Sequence, residues 1–281
     1  VIVKVHKKSV ILNSVIKVGI VDVYSENILS GRSAFIAGGT SGINLGIAKR
    51  MAQLGARVAV AGRNPDKAAA AAAEIGEGAL GRSCDVRDFD ATRAVLEDVA
   101  SAFGGLDIVI SGAAGNFMAP AVGISANGFR TVVDIDLNGT FNVFRASYDL
   151  LNRPGASLIA ITANQAVNAT MMQAHACAAK AGINQLLRVL AMEWGPHGVR
   201  VNGISPGPIR GTEGMARLAP TDEAVAERAA RVPLRRFGEA REVADSAVFL
   251  CTDAASYITG TILNCDGGAG LGDSSDKNLV A

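Results

Sequence analysis

The stretch "SAFIAGGTSGINLG", residues 33–46, decides the fold. Its opening, "SAFIAG" (33–38), is a short apolar run of the length expected for a buried strand. "GGTSGINLG" (38–46) follows at once, a glycine-rich turn that opens a helix. A strand, a glycine turn and a helix amino terminus together bring backbone N–H groups and the positive end of the helix dipole to one point, where a pyrophosphate binds. Alone, such a turn is equally well a tight connection. At the first strand-to-helix junction of a long alternating pattern, it makes dinucleotide binding the expectation.

Working outward, short apolar runs alternate with helical segments from Arg32 onward, as βαβ units feeding a parallel sheet do. Seven strands are expected: 33–38, 57–62, 81–85, 106–112, 157–162, 200–207 and 261–268. Between them lie helices such as "GIAKRMAQLG" (46–55) and "DATRAVLEDVASAFG" (90–104), the latter capped by an aspartate and closed by glycine. The predicted fold class is therefore α/β, a Rossmann-like doubly wound seven-stranded parallel sheet. The chain has no internal repeat, low-complexity tract or proline-rich linker, so a single domain over 23–281 is expected. Residues 1–22, β-branched and broken by Lys4, Lys7, Lys8 and Lys17, read as an extension, with an added edge strand as the alternative.

Composition narrows the partners. The 281 residues carry a formal charge of +1, without the basic excess of a nucleic-acid binder, so the expected partners are small molecules. Cys84, Cys177, Cys251 and Cys265 are scattered without a C-x-x-C pair, which suggests neither a disulfide framework nor a metal site and fits a reducing cytoplasm. No apolar run reaches the roughly 18 residues of a membrane helix. The carboxyl end "SSDKNLVA" carries no peroxisomal, retention or prenylation signal.

The end of the second strand selects the dinucleotide. An NAD site places Asp or Glu there for the ribose hydroxyls, whereas a 2′-phosphate needs a cation. Here "VAVAGRN" has no acid and then Arg63, which favours NADPH; a solvated surface arginine is the alternative. "CDV" (84–86) offers Asp85 to the adenine amino group and Val86 to its face.

With "SGAAG" (111–115), "AAKAGI" (178–183), "VRVNGISPGPI" (199–209) and "ITGTILNCDGG" (258–268) added, the chain resembles the short-chain dehydrogenase/reductase family over about residues 29–272. The resemblance implies cofactor contacts from Gly38, Thr40, Ser41, Gly42, Ile43, Ala113, Ala114, Lys180, Pro206, Gly207 and Ile209, a mobile substrate lid over about 206–238, and a homotetramer. One departure lies in the cofactor loop, where Asn44 stands at the last glycine of the family pattern, a place where a side chain either crowds the pyrophosphate or hydrogen-bonds it through its amide. Larger departures lie in the family's Asn-Ser-Tyr-Lys relay. Lys180 is kept, but the tyrosine position is Ala176, the serine position is Ala163, flanked by Thr162, and the asparagine position is Asp136.

No neighbour replaces the phenol. His175 precedes Lys180 by five residues, a rotation of about 140° on a helix, so it packs elsewhere. Cys177 is on the correct face, but an ordinary thiol without a second base is a poor designated acid.

A reaction that needs no phenol there explains the loss. Reduction of a ketone creates an alkoxide beside the hydride-accepting carbon and requires an acid at that point. Conjugate reduction of a dienoyl thioester puts hydride on a carbon bearing no oxygen and the proton several atoms away. The segments "AAGNFMAP" (113–120), "NGFRTVVDIDLNGTFNV" (127–143), "QAHACAAKAG" (173–182), "MEWGPHGVRVN" (192–202) and "PGPIRGTEGMARL" (206–218) resemble 2,4-dienoyl-CoA reductases of the peroxisomal type. That resemblance implies an acyl-CoA substrate and catalysis by Asp136 and Lys180 acting through a water, with an inert ion pair as the alternative. Asn116, Phe117 and Asn138 are candidate substrate contacts, the asparagines as donors to the thioester oxygen. Arg210, Arg217, Arg231, Arg235 and Arg236 make the lid basic and are candidates for coenzyme A phosphates. Two other readings stand beside this one: a carbonyl reductase using Thr162 and a water, and a non-catalytic NADP(H)-binding protein.

Overall fold

The structure, a computed structural model, describes residues 22–275; the extension expected over 1–22 lies outside them but for its last residue. Seven strands form a single sheet: β1 (Ser33–Ala37), β2 (Arg57–Gly62), β3 (Leu80–Ser83), β4 (Ile108–Ser111), β5 (Ser157–Ile161), β6 (Arg200–Pro206) and β7 (Ile262–Cys265). All are parallel, in the order β3-β2-β1-β4-β5-β6-β7. The expected strands are each present; β2 has the expected bounds, β3 begins one residue earlier and ends two earlier, and the others are shorter by one to four residues. The order reverses between β1 and β4, and the crevice outside the strand ends at such a switch point is where open α/β sheets bind ligands.

Nine α-helices occur among the described residues: α1 (Gly42–Gln53), α2 (Pro65–Ile75), α3 (Phe89–Phe103), α4 (Ala126–Val133), α5 (Gly139–Ser147), α6 (Ala174–Trp194), α7 (Glu213–Leu218), α8 (Asp222–Arg231) and α9 (Ala240–Cys251). One core joins the sheet to α3, α5 and α6 through residues such as Leu96, Val99, Val143, Phe144, Ile183 and Leu187. The opposite core joins it to α1 and α9 through Ile47, Met51, Val243 and Val248. Each such large side chain, fully withdrawn from water, contributes about 1.5–3 kcal/mol. The cap of helix α3 lies two residues earlier than the sequence suggests: it is Asp88, whose side chain accepts from Ala91 N, and Asp90 lies in the first turn. Gly104 closes it in the left-handed conformation as expected.

The first described residues are tied to the domain. Arg50, buried in α1, pairs with both Asp22 and Asp245, and the hydrogen bond from Arg50 is the main cause that pulls the Asp22 carboxyl down to about 2. No helix among the described residues is long and apolar enough to cross a membrane, none of their His, Cys, Asp and Glu side chains cluster as metal ligands, and all four cysteines are unpaired.

Candidate active site

Two adjoining clefts open at the carboxyl ends of the strands and share Ser41, Asn44, Gly112 and Ala114. The first is lined by Gly38, Thr40, Arg63, Asp85, Val86 and Ala113, all expected from the sequence. The backbone shapes it. Gly38 sits at φ +75°, and a Cβ there would fall 2.6 Å from Ala113 N, so only glycine lets the loop after β1 lie against the end of β4. Ser41 caps α1 without a side-chain hydrogen bond to it, leaving the first-turn N–H groups to an outside acceptor. Arg63 is exposed and, among the described residues, makes no side-chain hydrogen bond or salt bridge. Asp85 forms a salt bridge to Arg87 at 2.6 Å, and hydrogen bonding from Arg87 is the main cause that holds its carboxyl below the ordinary range. Lys67 and Asn64 line the same cleft and were not anticipated. Lys67 is readable in retrospect as a second cation one turn beyond Arg63.

The second cleft gathers Gly42, Ile43, Asn116, Asp136, Thr162, Ala163, Ala176, Lys180, Pro206 and Gly207. Lys180 Nζ lies 3.1 Å from Asp136 Oδ2 and donates to Ile161 O at 3.1 Å. Asp136 Oδ1 accepts from Gly115 N at 2.7 Å, and the carboxylate is only 1% exposed. The pair is therefore in direct contact. Asp136 sits in a π turn, Asp134–Asn138, inserted between α4 and α5, an irregularity that recurs at functional sites.

Other expected contacts fall elsewhere. Asn138 is exposed and donates to Asp134 Oδ1, and it lines neither cleft. Ile209 is buried in the core beneath Gly238 instead of lining the cleft. Phe117 stands 41% exposed with its ring 4.2 Å from that of His175. His175 is fully buried as the helix rotation required, and Cys177 points its thiol at Thr170 O. Thr162, in the wall of the second cleft, donates its hydroxyl proton to Asn184 Oδ1 at 2.7 Å. Asn116 and Gln165 both donate to Gln173 Oε1. Gln165 lines the cleft from a short 3-10 turn after β5, and no sequence signal marks it.

The segment 206–238 forms α7 and α8, with Thr212, Glu213 and Gly214 closing over the second cleft. Its arginines are mostly engaged within the fold: Arg210 with Glu239, Arg231 with Glu227, Arg236 with Glu242 and Arg235 with Ala230 O. The Arg217 side chain lies outside the description.

Comparison with known proteins agrees with this geometry. A family model described as "Enoyl-(Acyl carrier protein) reductase" matches residues 37–270. A peroxisomal 2,4-dienoyl-CoA reductase [(3E)-enoyl-CoA-producing] of Danio rerio is 41% identical over 90% of this chain and 86% of its own length. A probable 2,4-dienoyl-CoA reductase [(2E)-enoyl-CoA-producing] of Bacillus subtilis is 39% identical over 85% and 97%. A crystal structure of a short chain dehydrogenase from Bacillus anthracis superimposes with a TM-score of 0.77 at 37% identity, covering 85% of this chain and 96% of that one. The sheet order, the glycine cradle and these likenesses together establish that the chain belongs to the short-chain dehydrogenase/reductase family of oxidoreductases.

Proposed function

We propose that the protein reduces 2,4-dienoyl-CoA to 3-enoyl-CoA with NADPH, a step in the breakdown of unsaturated fatty acids. The observation that carries this reading is the second cleft: Ala176 forms its wall where a phenol would stand, while Asp136 and Lys180 meet beside it at 3.1 Å. The residues of the first cleft fit a nicotinamide dinucleotide phosphate, with the Gly38 cradle and the α1 amino terminus for the pyrophosphate, Arg63 and Lys67 for the 2′-phosphate, and Asp85 and Val86 for the adenine. When bound, that cofactor supplies a hydride to the δ carbon of the dienoyl chain.

The chain's own residues then have two tasks. Asn116, held by Gln173 and retaining a second N–H, donates to the thioester oxygen as negative charge gathers there. Lys180 holds a water whose proton passes to the α carbon, and Asp136 holds Lys180. Hydride on the δ carbon and a proton on the α carbon leave the double bond between β and γ, with NADPH oxidised to NADP⁺. A proton delivered to the γ carbon would instead give a 2-enoyl product.

Loss of NADPH on addition of 2,4-hexadienoyl-CoA, with product position read by NMR, tests the reading; no turnover at high enzyme concentration overturns it. Acetoacetyl-CoA in parallel tests the carbonyl reductase reading, which the engagement of Thr162 by Asn184 disfavours. Assembly as a homotetramer belongs to the same proposal. Phe141, Val189 and Met192 leave apolar surface exposed on α5 and α6, and light scattering measures the mass. A cytoplasmic site of action, which the unpaired cysteines suit, is checked by cell fractionation.

A further inference from the structure

We propose that Asn44 is a positioning residue, an amide rung that locks the dinucleotide loop to the segment against which the catalytic carboxylate is held. The parallel ladder between β1 and β4 runs to the pair Ala37 and Ser111, and one more bond, Gly112 N to Ala37 O, closes it. Beyond that point the backbones part. Asn44, in the first turn of α1 and 9% exposed, reaches back into the opening and donates Nδ2 to Gly112 O at 2.8 Å and to Gly38 O at 3.3 Å. The side chain thus supplies the bond that the two main chains no longer make.

Gly112 is the counterpart of this arrangement. Its backbone is not in the left-handed region, so conformation alone admits any residue there. A Cβ at that position, however, would lie 2.3 to 2.5 Å from the amide atoms of Asn44. Asn44 and Gly112, distant in sequence, are therefore one choice: the amide comes from α1, and β4 gives it room. The amide also carries a cost, because Oδ1 is buried without a hydrogen-bond partner among the described residues, an arrangement that proteins keep rarely. Its two N–H contacts fix that orientation.

The consequence reaches both clefts. The segment leaving β4 is pinned by Asn44 at Gly112, by the close approach of Gly38 at Ala113, and by Asp136, whose Oδ1 accepts from Gly115 N at 2.7 Å. Removing the rung frees the loop that cradles the dinucleotide and loosens the segment that holds Asp136.

The test uses Asn44→Asp, which keeps the shape but presents only acceptors to two carbonyls, Asn44→Gly, and the exchange Asn44→Gly with Gly112→Asn, which supplies the amide from β4. Fluorescence titration with NADPH and NADH, run well below each variant's melting temperature, gives the affinities. Both single variants are expected to bind about tenfold or more weakly, and the exchange to recover to within about threefold of the parent. An unchanged Kd in Asn44→Gly overturns the proposal, as does an exchange variant no better than the single one; a fall in melting temperature alone marks a merely structural amide. The inference rests on the dinucleotide reading, and the unaltered protein separates the two. Preference for NADH overturns only the assignment of Arg63, whereas binding of neither dinucleotide overturns both.

Discussion

At the ends of β1, β2 and β4 the cleft is shaped by main chain: a glycine at φ +75°, a helix amino terminus and a close approach of two loops. At the end of β5 and the start of α6 it is shaped by side chains, with a buried ion pair, two amides donating to Gln173 Oε1, and an alanine where a larger group would fit. Main-chain cradles accept any ligand with the same phosphate geometry. Side-chain constellations discriminate between reactions. The first half is therefore suited to the dinucleotide proposed for it, and the second is where the proposed reaction is decided.

The sharpest way to break that comparison is Asp136→Ala. If the halves are separable, turnover of the dienoyl thioester falls about 10²- to 10⁴-fold while NADPH affinity, measured by fluorescence, stays close to that of the parent. A matching loss of affinity would show that the carboxylate serves the cradle as well. Next in size is Gly38→Ala, which sets a Cβ against the main-chain nitrogen of Ala113 at 2.6 Å, where no side chain can yield. Dinucleotide affinity is expected to weaken about 10- to 100-fold, with kcat at saturating cofactor much less affected.

The smallest effect is in acid. Arg87 lowers the Asp85 carboxyl in the folded protein, so the stabilisation from this depressed carboxyl is complete above the unfolded carboxyl's range and is lost only as pH falls through the lower folded value. Dinucleotide affinity should accordingly stay flat from pH 8 to about pH 5. A decline within that interval would mean that a group other than Asp85 governs binding there, since its carboxylate stays charged throughout.

The same division explains what was legible in the sequence. Strands, the glycine turn, Arg63 and the missing phenol are local signals: periodicity, a residue type fixed by backbone conformation, or a motif position. Asn44 was visible as a departure, but its meaning depends on Gly112, which only the sheet brings beside it. Asn138 lies in a π-helical segment where it donates to Asp134 Oδ1, and no periodic pattern in the sequence marks an i to i+5 turn. Gln165 sits in a loop whose path is set by contacts remote in sequence. Of the lid arginines, Arg231 has a partner readable from helical spacing, Glu227 four residues before it, whereas the turns that bring Arg210 to Glu239 and Arg236 to Glu242 carry no such pattern.

The π turn at Asp134–Asn138 also bears on how this chemistry can change. One residue more or fewer in a helix turns everything beyond it by about 100°. Shortening "DIDLN" by a single codon would restore ordinary helical winding and swing either Asp136 or the whole of α5 out of its present bearing. For this site, reading-frame-preserving insertions and deletions are thus as direct a route to a new reaction as any substitution, and libraries of one-residue indels across 134–138 would explore it.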